Sequence, residues 1–197
     1  MGKANTEIKL LEATMQLMSE KGYLGATTRE IASMAGVTEL TLFRRFGSKE
    51  RLFEEVLKRY TFLPRLKEIL PDIEALPYDK GLRLVGIRFF ETLKERKTLF
   101  RIMLSEISSY PEKIKDIHNS LIDEVFHILT NYLRSLQQKG IVRKTAFKTA
   151  ARAFLGMVFT YFLGEEIIRG RNISRHEMEN MIGEFAEVFI HGTLEKK

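Results

Sequence analysis

The sequence has no cysteine, no tryptophan, only four prolines, and no apolar stretch long enough to cross a membrane. Without cysteine, a disulfide framework, a thiolate zinc site, an iron–sulfur cluster and a cysteine nucleophile are all excluded. The longest apolar stretch is the twelve residues 153–164, whereas spanning a bilayer takes about 20 residues. Charges at Glu7, Lys9 and Glu12 interrupt the N-terminal segment, which makes it a poor signal peptide. We therefore expect a cytoplasmic protein with no membrane partner.

Signals for β-structure are missing as well. The sequence has no run of alternating β-branched residues and no Asn-Gly or Asp-Gly turn. Glutamate, a good helix former, supplies 22 of the 26 acidic residues. With 197 residues, of which 44% are hydrophobic, the chain is long enough to bury a core. These features predict an all-α protein of about nine helices.

Glycine and proline mark the expected helix ends. Capping boxes are predicted at Thr27–Glu30 and Ser174–Glu177. A long helix is predicted to begin at Ser48, to kink or stop at Pro64, and to be followed by a loop at Pro71 and Pro77. The other predicted helices cover about residues 7–21, 27–35, 38–46, 79–96, 98–109, 112–138, 145–168 and 174–195.

The charge permits a polyanionic partner without requiring one. Lys and Arg number 32 against 26 Asp and Glu, for a net charge of +6. Residues 1–50 carry seven basic and six acidic residues. Any nucleic-acid contact in this segment must therefore come from a local basic patch.

Residues 27–50 read TTREIASMAGVTELTLFRRFGSKE, which has the layout of a helix-turn-helix. Ile31 and Ala32 give the first short helix a shallow apolar face. Gly36 can adopt the positive φ that a sharp turn needs. In the second helix Leu42 and Phe46 are four residues apart and share one face, so the opposite face is free to enter a major groove.

The same residues resemble the DNA-binding domain of TetR-family transcriptional regulators over about residues 8–56. The resemblance depends on the thirteen-residue offset from Thr28 to Thr41 and on the tail Phe46-x-Ser48-Lys49-Glu50. It implies an N-terminal three-helix DNA-binding domain over residues 1–48. It also implies a larger C-terminal helical domain, residues 49–197, for effector binding and dimerisation. That larger part matches the family only in its length and all-helical layout.

The resemblance also implies roles for individual residues. Thr28 and Arg29 would reach the DNA backbone or a base edge, and Thr41 and Lys49 stand where family members bind phosphate. Arg44 would touch a phosphate or a base. The full set implied for DNA binding is Thr28, Arg29, Thr38, Glu39, Leu40, Thr41, Phe43, Arg44, Arg45 and Lys49.

Three residues depart from the family pattern, which leaves the base preference open. Phe43 stands where tyrosine is common and lacks the hydroxyl that would bond a phosphate. Leu40 replaces a small residue, and it either contacts a thymine methyl or holds the backbone away from the groove. Glu39 either accepts a hydrogen bond from cytosine N4 or is solvated and mildly repulsive.

Aromatic residues and methionines are concentrated between residues 89 and 162. Such side chains suit an adaptable apolar cavity, and they equally suit plain core packing. The resemblance favours an effector pocket here. The predicted lining is Phe89, Phe90, Leu93, Phe100, Met103, Leu104, Phe126, Phe154, Met157, Val158 and Tyr161.

The last two helices carry apolar surface on more than one side. Residues 150–164 are apolar almost all round, and residues 174–195 carry a broad apolar stripe. Either the monomer or a second subunit must cover them, and the resemblance implies a homodimer. The predicted interface is Phe159, Phe162, Met178, Ile182, Phe185 and Phe189.

The interpretation that follows is a sequence-specific DNA-binding regulator, usually a repressor in this family. A small apolar or aromatic effector would release it from a pseudo-palindromic double-stranded operator. No catalytic residue, cofactor or metal site is expected, because no histidine spacing, phosphate loop or Gly-x-Ser-x-Gly motif supports one. The alternatives are a DNA-binding protein without an effector and an all-helical enzyme that uses the apolar pocket.

Overall fold

A computed structural model describes residues 3–194, with all their side chains except those of residues 3, 4 and 109. Within that range the regular elements are helical and there is no strand. The α-helices are α1 (Lys3–Gly25), α2 (Thr28–Met34), α3 (Glu39–Phe46), α4 (Lys49–Tyr60), α5 (Phe62–Ala75), α6 (Tyr78–Glu95), α7 (Lys97–Glu106), α8 (Glu112–Gln138), α9 (Phe147–Phe162) and α10 (Arg175–Thr193). A 3-10 turn covers Ile107–Ser109, and a π-helical segment covers Leu163–Ile168. The predicted all-α fold is confirmed.

The chain packs into two compact units that alternate along the sequence. The first unit takes the residues up to Thr61 together with Arg96–Ser120. The second takes Phe62–Glu95 and the residues from Leu121 onward. These are packing units, so they leave the functional boundary predicted at residue 48 as a prediction.

In the first unit α1 packs against α2, α4 and α7. The backbone of α1 leaves helical geometry at Gly22, where φ is 74° and ψ is 178°, so the predicted helix end at this glycine is a sharp break. Beyond it the buried Tyr23 ring lies 5.1 Å from Phe53 and 5.6 Å from Tyr110, measured between ring centroids. This aromatic cluster joins the break in α1 to α4 and to the segment that follows α7.

In the second unit α6 packs against α5, α9 and α10. The approach to α10 is close at Gly86, where a Cβ would come within 2.8 Å of Ile182. Phe90, Phe154 and Phe162 are among the largest fully buried side chains of this core. Helix packing at this distance explains why α6 has a glycine in its middle despite the helix-propensity cost.

Four of the predicted helix starts are confirmed by capping contacts. Thr27 and Glu30 form the reciprocal capping box at α2. The Thr38 side chain caps α3, and the Ser48 side chain caps α4. Ser174 also accepts from the Glu177 backbone N–H at α10. Glu177 does not complete a capping box there, because its carboxylate accepts instead from Arg171 at 2.7 Å.

The predicted course of the fourth helix was wrong in two respects. It divides into α4 and α5 at Thr61, whose extended backbone ends α4, and not at Pro64. Pro64 lies in the first turn of α5, where a missing N–H removes no helical bond. Pro71 lies inside α5 and not in a loop. Burial of Leu66, Ile69 and Ile73 on one face of α5 offsets the hydrogen bond that Pro71 cannot donate.

Candidate nucleic-acid interface

Helix α3 is the candidate recognition helix, and its two faces differ sharply. Leu42 is fully buried and Phe46 is 8% exposed, as their four-residue spacing predicted. On the other side Leu40 is 59% exposed and Phe43 is 42% exposed. Arg44 is also exposed and forms no ion pair with a described residue. One exposed face of α3 therefore combines two large apolar side chains with a guanidinium group.

The start of α3 is held by two threonines. Thr38 Oγ1 accepts from the Thr41 backbone N–H at 3.3 Å and lies 2.9 Å from Thr41 Oγ1. The Thr41 side chain is half-buried against this cap. The contact fixes the hydroxyl for which phosphate binding was predicted.

Glu39 is engaged within the protein. Thr28 Oγ1 donates to Glu39 Oε1 at 2.5 Å, which ties the first turn of α2 to the first turn of α3. One oxygen of the half-buried Glu39 is thus engaged within the protein, and both interpretations of Glu39 toward DNA stay predictions. Arg29, next to Thr28, is exposed and forms no ion pair with a described residue.

The two adjacent arginines of α3 lie in different surroundings. Arg45 is 23% exposed and pairs with Glu7 of α1 at 3.7 Å. The exposed Arg44 lies with Thr41 and Arg45 at a shallow open groove of about 460 Å³. Arg44 is therefore accessible on this surface, whereas Arg45 is held in an ion pair of modest strength.

Lys49 begins α4 and is partly buried. Its Nζ lies 4.5 Å from the centroid of the Tyr23 ring, a cation–π contact. The Tyr23 hydroxyl donates to Glu50 Oε1 at 3.2 Å. Burial lowers the pKa of Lys49, while the charges of Glu50 and Glu106 act in the opposite direction. The predicted phosphate contact is thus a cation placed on an aromatic ring between acidic side chains.

At the start of α2 the carboxylate of Glu30 forms an ion pair and two further hydrogen bonds, and these contacts shift its pKa. Glu30 Oε1 lies 2.7 Å from Lys21 Nζ. The other oxygen of Glu30 accepts from the Thr27 backbone N–H at 3.2 Å and from the Thr27 hydroxyl at 2.8 Å. The hydrogen bond from Lys21, followed by those from Thr27, lowers the pKa of Glu30 to about 2.

The predicted pocket residues are divided between the two units. Phe100, Met103 and Leu104 lie on α7, in the first unit, and the remaining eight lie in the second. The buried members of the second unit are Phe90, Leu93, Phe154 and Val158. The half-buried members are Phe89, Phe126, Met157 and Tyr161. Phe126 is further covered by the Arg152 guanidinium at 4.4 Å.

Of the predicted dimer residues, four are covered by their own chain. These are Phe162, Met178, Ile182 and Phe189, each at most 7% exposed. Their burial removes them from the candidate interface, because the helix stripe that carries them faces the monomer core. Phe159 and Phe185 are half-buried. Val188 of α10 is 67% exposed.

Two residues near the interface were missed from the sequence. Tyr23 supplies the ring under Lys49, and Glu106 accepts from the Tyr23 backbone N–H at 2.9 Å. Glu106 lies 83 positions from Tyr23, and no local pattern predicts such a contact. The Gly-Tyr pair after the first helix was the only signal, and by itself it indicates no more than a helix end.

Neither a metal-binding cluster nor a membrane-spanning helix is found among residues 3–194. No three His, Asp or Glu side chains come together there in a way that could hold a metal ion. None of the helices in this range combines the length and the apolar character that crossing a membrane requires.

Comparison with known proteins agrees with this geometry. Residues 10–56 match the family of bacterial regulatory proteins, tetR family, and residues 80–192 match the C-terminal domain of AefR-like transcriptional repressors. The HTH-type transcriptional regulator YvkB of Bacillus subtilis, itself uncharacterized, is 30% identical over 190 residues. That match covers 95% of this chain and 96% of YvkB.

Solved structures give the same result. A candidate fatty acid metabolism regulator from Clostridium perfringens is 26% identical, with a TM-score of 0.74, over 95% of this chain and 100% of that one. The fatty acid degradation regulator FadR from Bacillus halodurans is 16% identical, with a TM-score of 0.73, over 98% and 97% of the two chains. At that identity the second likeness shows the fold alone.

Proposed function

Since this chain belongs to the TetR family of helix-turn-helix transcriptional regulators, we propose that it is a homodimeric repressor released from its operator by a small apolar effector. The observation that carries the DNA-binding part is the exposed face of α3, with Leu40, Phe43 and Arg44, which forms no ion pair with a described residue. A helix of this size fits the major groove. A guanidinium group can read guanine there, and apolar side chains can contact thymine methyl groups.

The effector part is supported by the second unit. Its half-buried aromatic and sulfur-containing side chains, such as Phe89, Met157 and Tyr161, suit a cavity that adapts to an apolar guest. A fatty acyl compound belongs to that class, and the Clostridium perfringens neighbour is a candidate fatty acid metabolism regulator. To release DNA, the effector must bind the DNA-incompetent state more tightly than the DNA-bound state.

The dimer part is supported by exposed positions of α9, the π-helical segment and α10. Gly156 and Gly164 face open space in the single chain, and Val188 is 67% exposed. A two-fold axis here would present two copies of α3 to successive major grooves, about 34 Å apart. The operator would accordingly be pseudo-palindromic.

A regulator without an effector is the second candidate. It is favoured by the complete or nearly complete burial of Phe90, Phe154 and Val158, whose side chains fill the core that a ligand would need. Release of operator DNA on addition of fatty acyl compounds would exclude this candidate. We also infer that the chain is not an enzyme, because the family acts by binding DNA.

The experiment is a titration of purified protein against operator DNA and scrambled DNA at several salt concentrations. Lys49→Ala should weaken binding to both DNAs alike. The slope of log binding constant against log salt concentration should become shallower by nearly two per dimer, since each phosphate contact contributes ~0.9 to that slope. Arg44→Ala should cost roughly 1–3 kcal/mol on the operator and much less on scrambled DNA. Arg134→Ala, which removes an exposed arginine of α8, is the control, and it should change neither the affinity for operator DNA nor that for scrambled DNA. Unchanged binding for both Lys49→Ala and Arg44→Ala would contradict the proposal.

A further inference from the structure

We propose that Glu106, the last residue of α7, is a positioning residue for the DNA contact made by Lys49, and that it acts through Tyr23. This inference rests on the proposed function, because it assumes that Lys49 binds phosphate. Glu106 itself belongs to the first unit but lies outside the segment that resembles a helix-turn-helix.

The first step is the contact between Glu106 and the break in α1. Glu106 Oε2 accepts from the Tyr23 backbone N–H at 2.9 Å. The carboxylate also closes over Gly22, where a Cβ would lie 1.9 Å from Glu106 Oε1. The N–H group is free to bond the carboxylate because Gly22, with φ at 74°, turns the backbone out of the helix. Glu106 therefore holds the Tyr23 backbone in place just after the break in α1.

The second step is the contact between Tyr23 and Lys49. The Tyr23 side chain is only 4% exposed and is packed against Phe53 and Tyr110. Its ring is the surface on which Lys49 Nζ rests, 4.5 Å from the centroid. Close packing against these two rings couples the position of the Tyr23 ring to that of its backbone. A shift of the Tyr23 backbone would therefore move the ring and the ammonium group together.

The third step is the charge that surrounds Lys49. The carboxylate of Glu50 acts on its ammonium group more strongly than that of Glu106 does, so loss of the Glu106 charge alone should have little effect. Glu50 is itself bonded to the Tyr23 hydroxyl at 3.2 Å. The contact with the Tyr23 ring and the nearby carboxylates favour one position of the Lys49 ammonium group. A side chain held in this way loses less conformational entropy when it binds phosphate.

The experiment compares Glu106→Ala, Glu106→Gln and Glu106→Asp with wild type, each against operator and scrambled DNA. Glu106→Ala should weaken binding to both DNAs by the same factor, roughly three- to thirty-fold, since phosphate contacts carry no sequence information. Glu106→Gln keeps an oxygen that accepts from Tyr23 N–H and should restore most of the affinity. Glu106→Asp keeps the charge but withdraws the acceptor, so it should bind as weakly as Glu106→Ala.

Two further measurements separate positioning from general stability. Amide hydrogen exchange at Tyr23 should be faster in Glu106→Ala and Glu106→Asp but not in Glu106→Gln. In a Lys49→Ala background, Glu106→Ala should have little additional effect on DNA binding, because the two residues act in one chain of contacts. Glu112→Ala removes an acidic side chain of the same unit that is 80% exposed, and as the control it should change nothing.

The outcomes are distinct. If Glu106→Asp binds like wild type while Glu106→Gln does not, the charge and not the hydrogen bond matters, and the inference is wrong. It is equally wrong if the effect of Glu106→Ala keeps its full size in the Lys49→Ala background. Failure of the wild-type protein to prefer operator over scrambled DNA would instead contradict the proposed function. Should Glu106→Ala not fold, the Glu106→Gln and Glu106→Asp pair decides the question.

Discussion

At the scale of the residue, Glu30 links helix capping to pH. Its carboxylate bonds Lys21 and Thr27, and its pKa falls from the ordinary value of 4.5 to about 2. Because the folded-state pKa is the lower one, its contribution to stability is full above pH 4.5 and is lost as the pH falls toward 2. Glu30→Gln should therefore flatten the pH dependence of the unfolding free energy in this window. Urea unfolding at a series of pH values measures this pH dependence.

The matched control for this prediction is Lys21→Met. It removes the ion pair at 2.7 Å but keeps the carboxylate that caps α2. This variant should show a pH dependence that is reduced and not abolished, because the bonds from Thr27 to Glu30 remain. If Glu30→Gln retained the full wild-type pH dependence, the lowered pKa of Glu30 would be wrong.

Single-residue predictions from the sequence succeeded where the contact is local. The caps at Thr38 and Ser48 and the burial of Leu42 were all predictable, because each depends on neighbours within one turn. The contacts of Glu39 with Thr28 and of Arg45 with Glu7 were not predictable. They depend on the angle and distance between two helices, which no periodicity encodes.

At the scale of the element, the π-helical segment Leu163–Ile168 holds a buried acid. Glu166 is 1% exposed; its Oε1 accepts from the Ile173 backbone N–H at 2.8 Å and lies 3.4 Å from Lys94 Nζ. Lys94 in turn donates to the Ile173 carbonyl oxygen. This carboxylate fixes the turn that leads from α9 into α10.

Glu166→Ala should destabilise the protein by roughly 2–4 kcal/mol, since it leaves the buried Ile173 N–H group without an acceptor and removes the carboxylate beside Lys94. Glu166→Gln keeps an acceptor for the Ile173 N–H group, so its free energy of unfolding should fall by less than half as much. Urea unfolding of both variants at one protein concentration gives the two values. Glu165→Ala is the control, because Glu165 pairs with the exposed Arg169 and Arg171. Equal losses for Glu166→Ala and Glu165→Ala would contradict this account.

Element boundaries were predictable where glycine or a cap marks them. The predicted helix 112–138 agrees with α8, and the predicted helix 79–96 differs from α6 by one residue at each end. The π-helical segment was missed, because residues 145–168 carry one continuous apolar pattern. Within this segment Glu166 reaches the Ile173 backbone N–H across the following loop, and the sequence alone does not show that this acid is buried.

At the scale of the whole molecule, the proposed dimer can be tested at one exposed side chain. Val188→Asp would bury an unpaired carboxylate in each half of the interface, so the dimer should dissociate. Val188 is a better choice than the half-buried Phe185, where a carboxylate would also disturb the monomer core. Sedimentation at micromolar concentration measures the change.

Leu76→Asp is the control for the dimer prediction. Leu76 follows α5 and is 37% exposed, away from α9 and α10 in the sequence. This variant should remain dimeric. A wild-type protein that sediments as a monomer would contradict the proposed dimer, as would a Val188→Asp variant that remains fully dimeric.

The family and the fold were predictable from the sequence, but the pocket was less so. The helix-turn-helix segment has caps, a turn glycine and buried positions in a fixed order, from Thr27 to Glu50. The aromatic residues 89–162 have only composition in common. Composition does not tell that Phe100 belongs to the first unit and Phe90 to the second, because that division depends on how distant helices pack.

The alternation of the two units along the chain bears on how such regulators could be recombined. The first unit is not a continuous piece of sequence, since it includes Arg96–Ser120. A chimaera spliced after Thr61 would carry Tyr23 without Glu106 and Tyr110, and so without the acceptor for its amide and one wall around its ring. Exchanging operator specificity between relatives therefore requires transplanting two separate stretches, or matching the receiving α7 to the incoming α1.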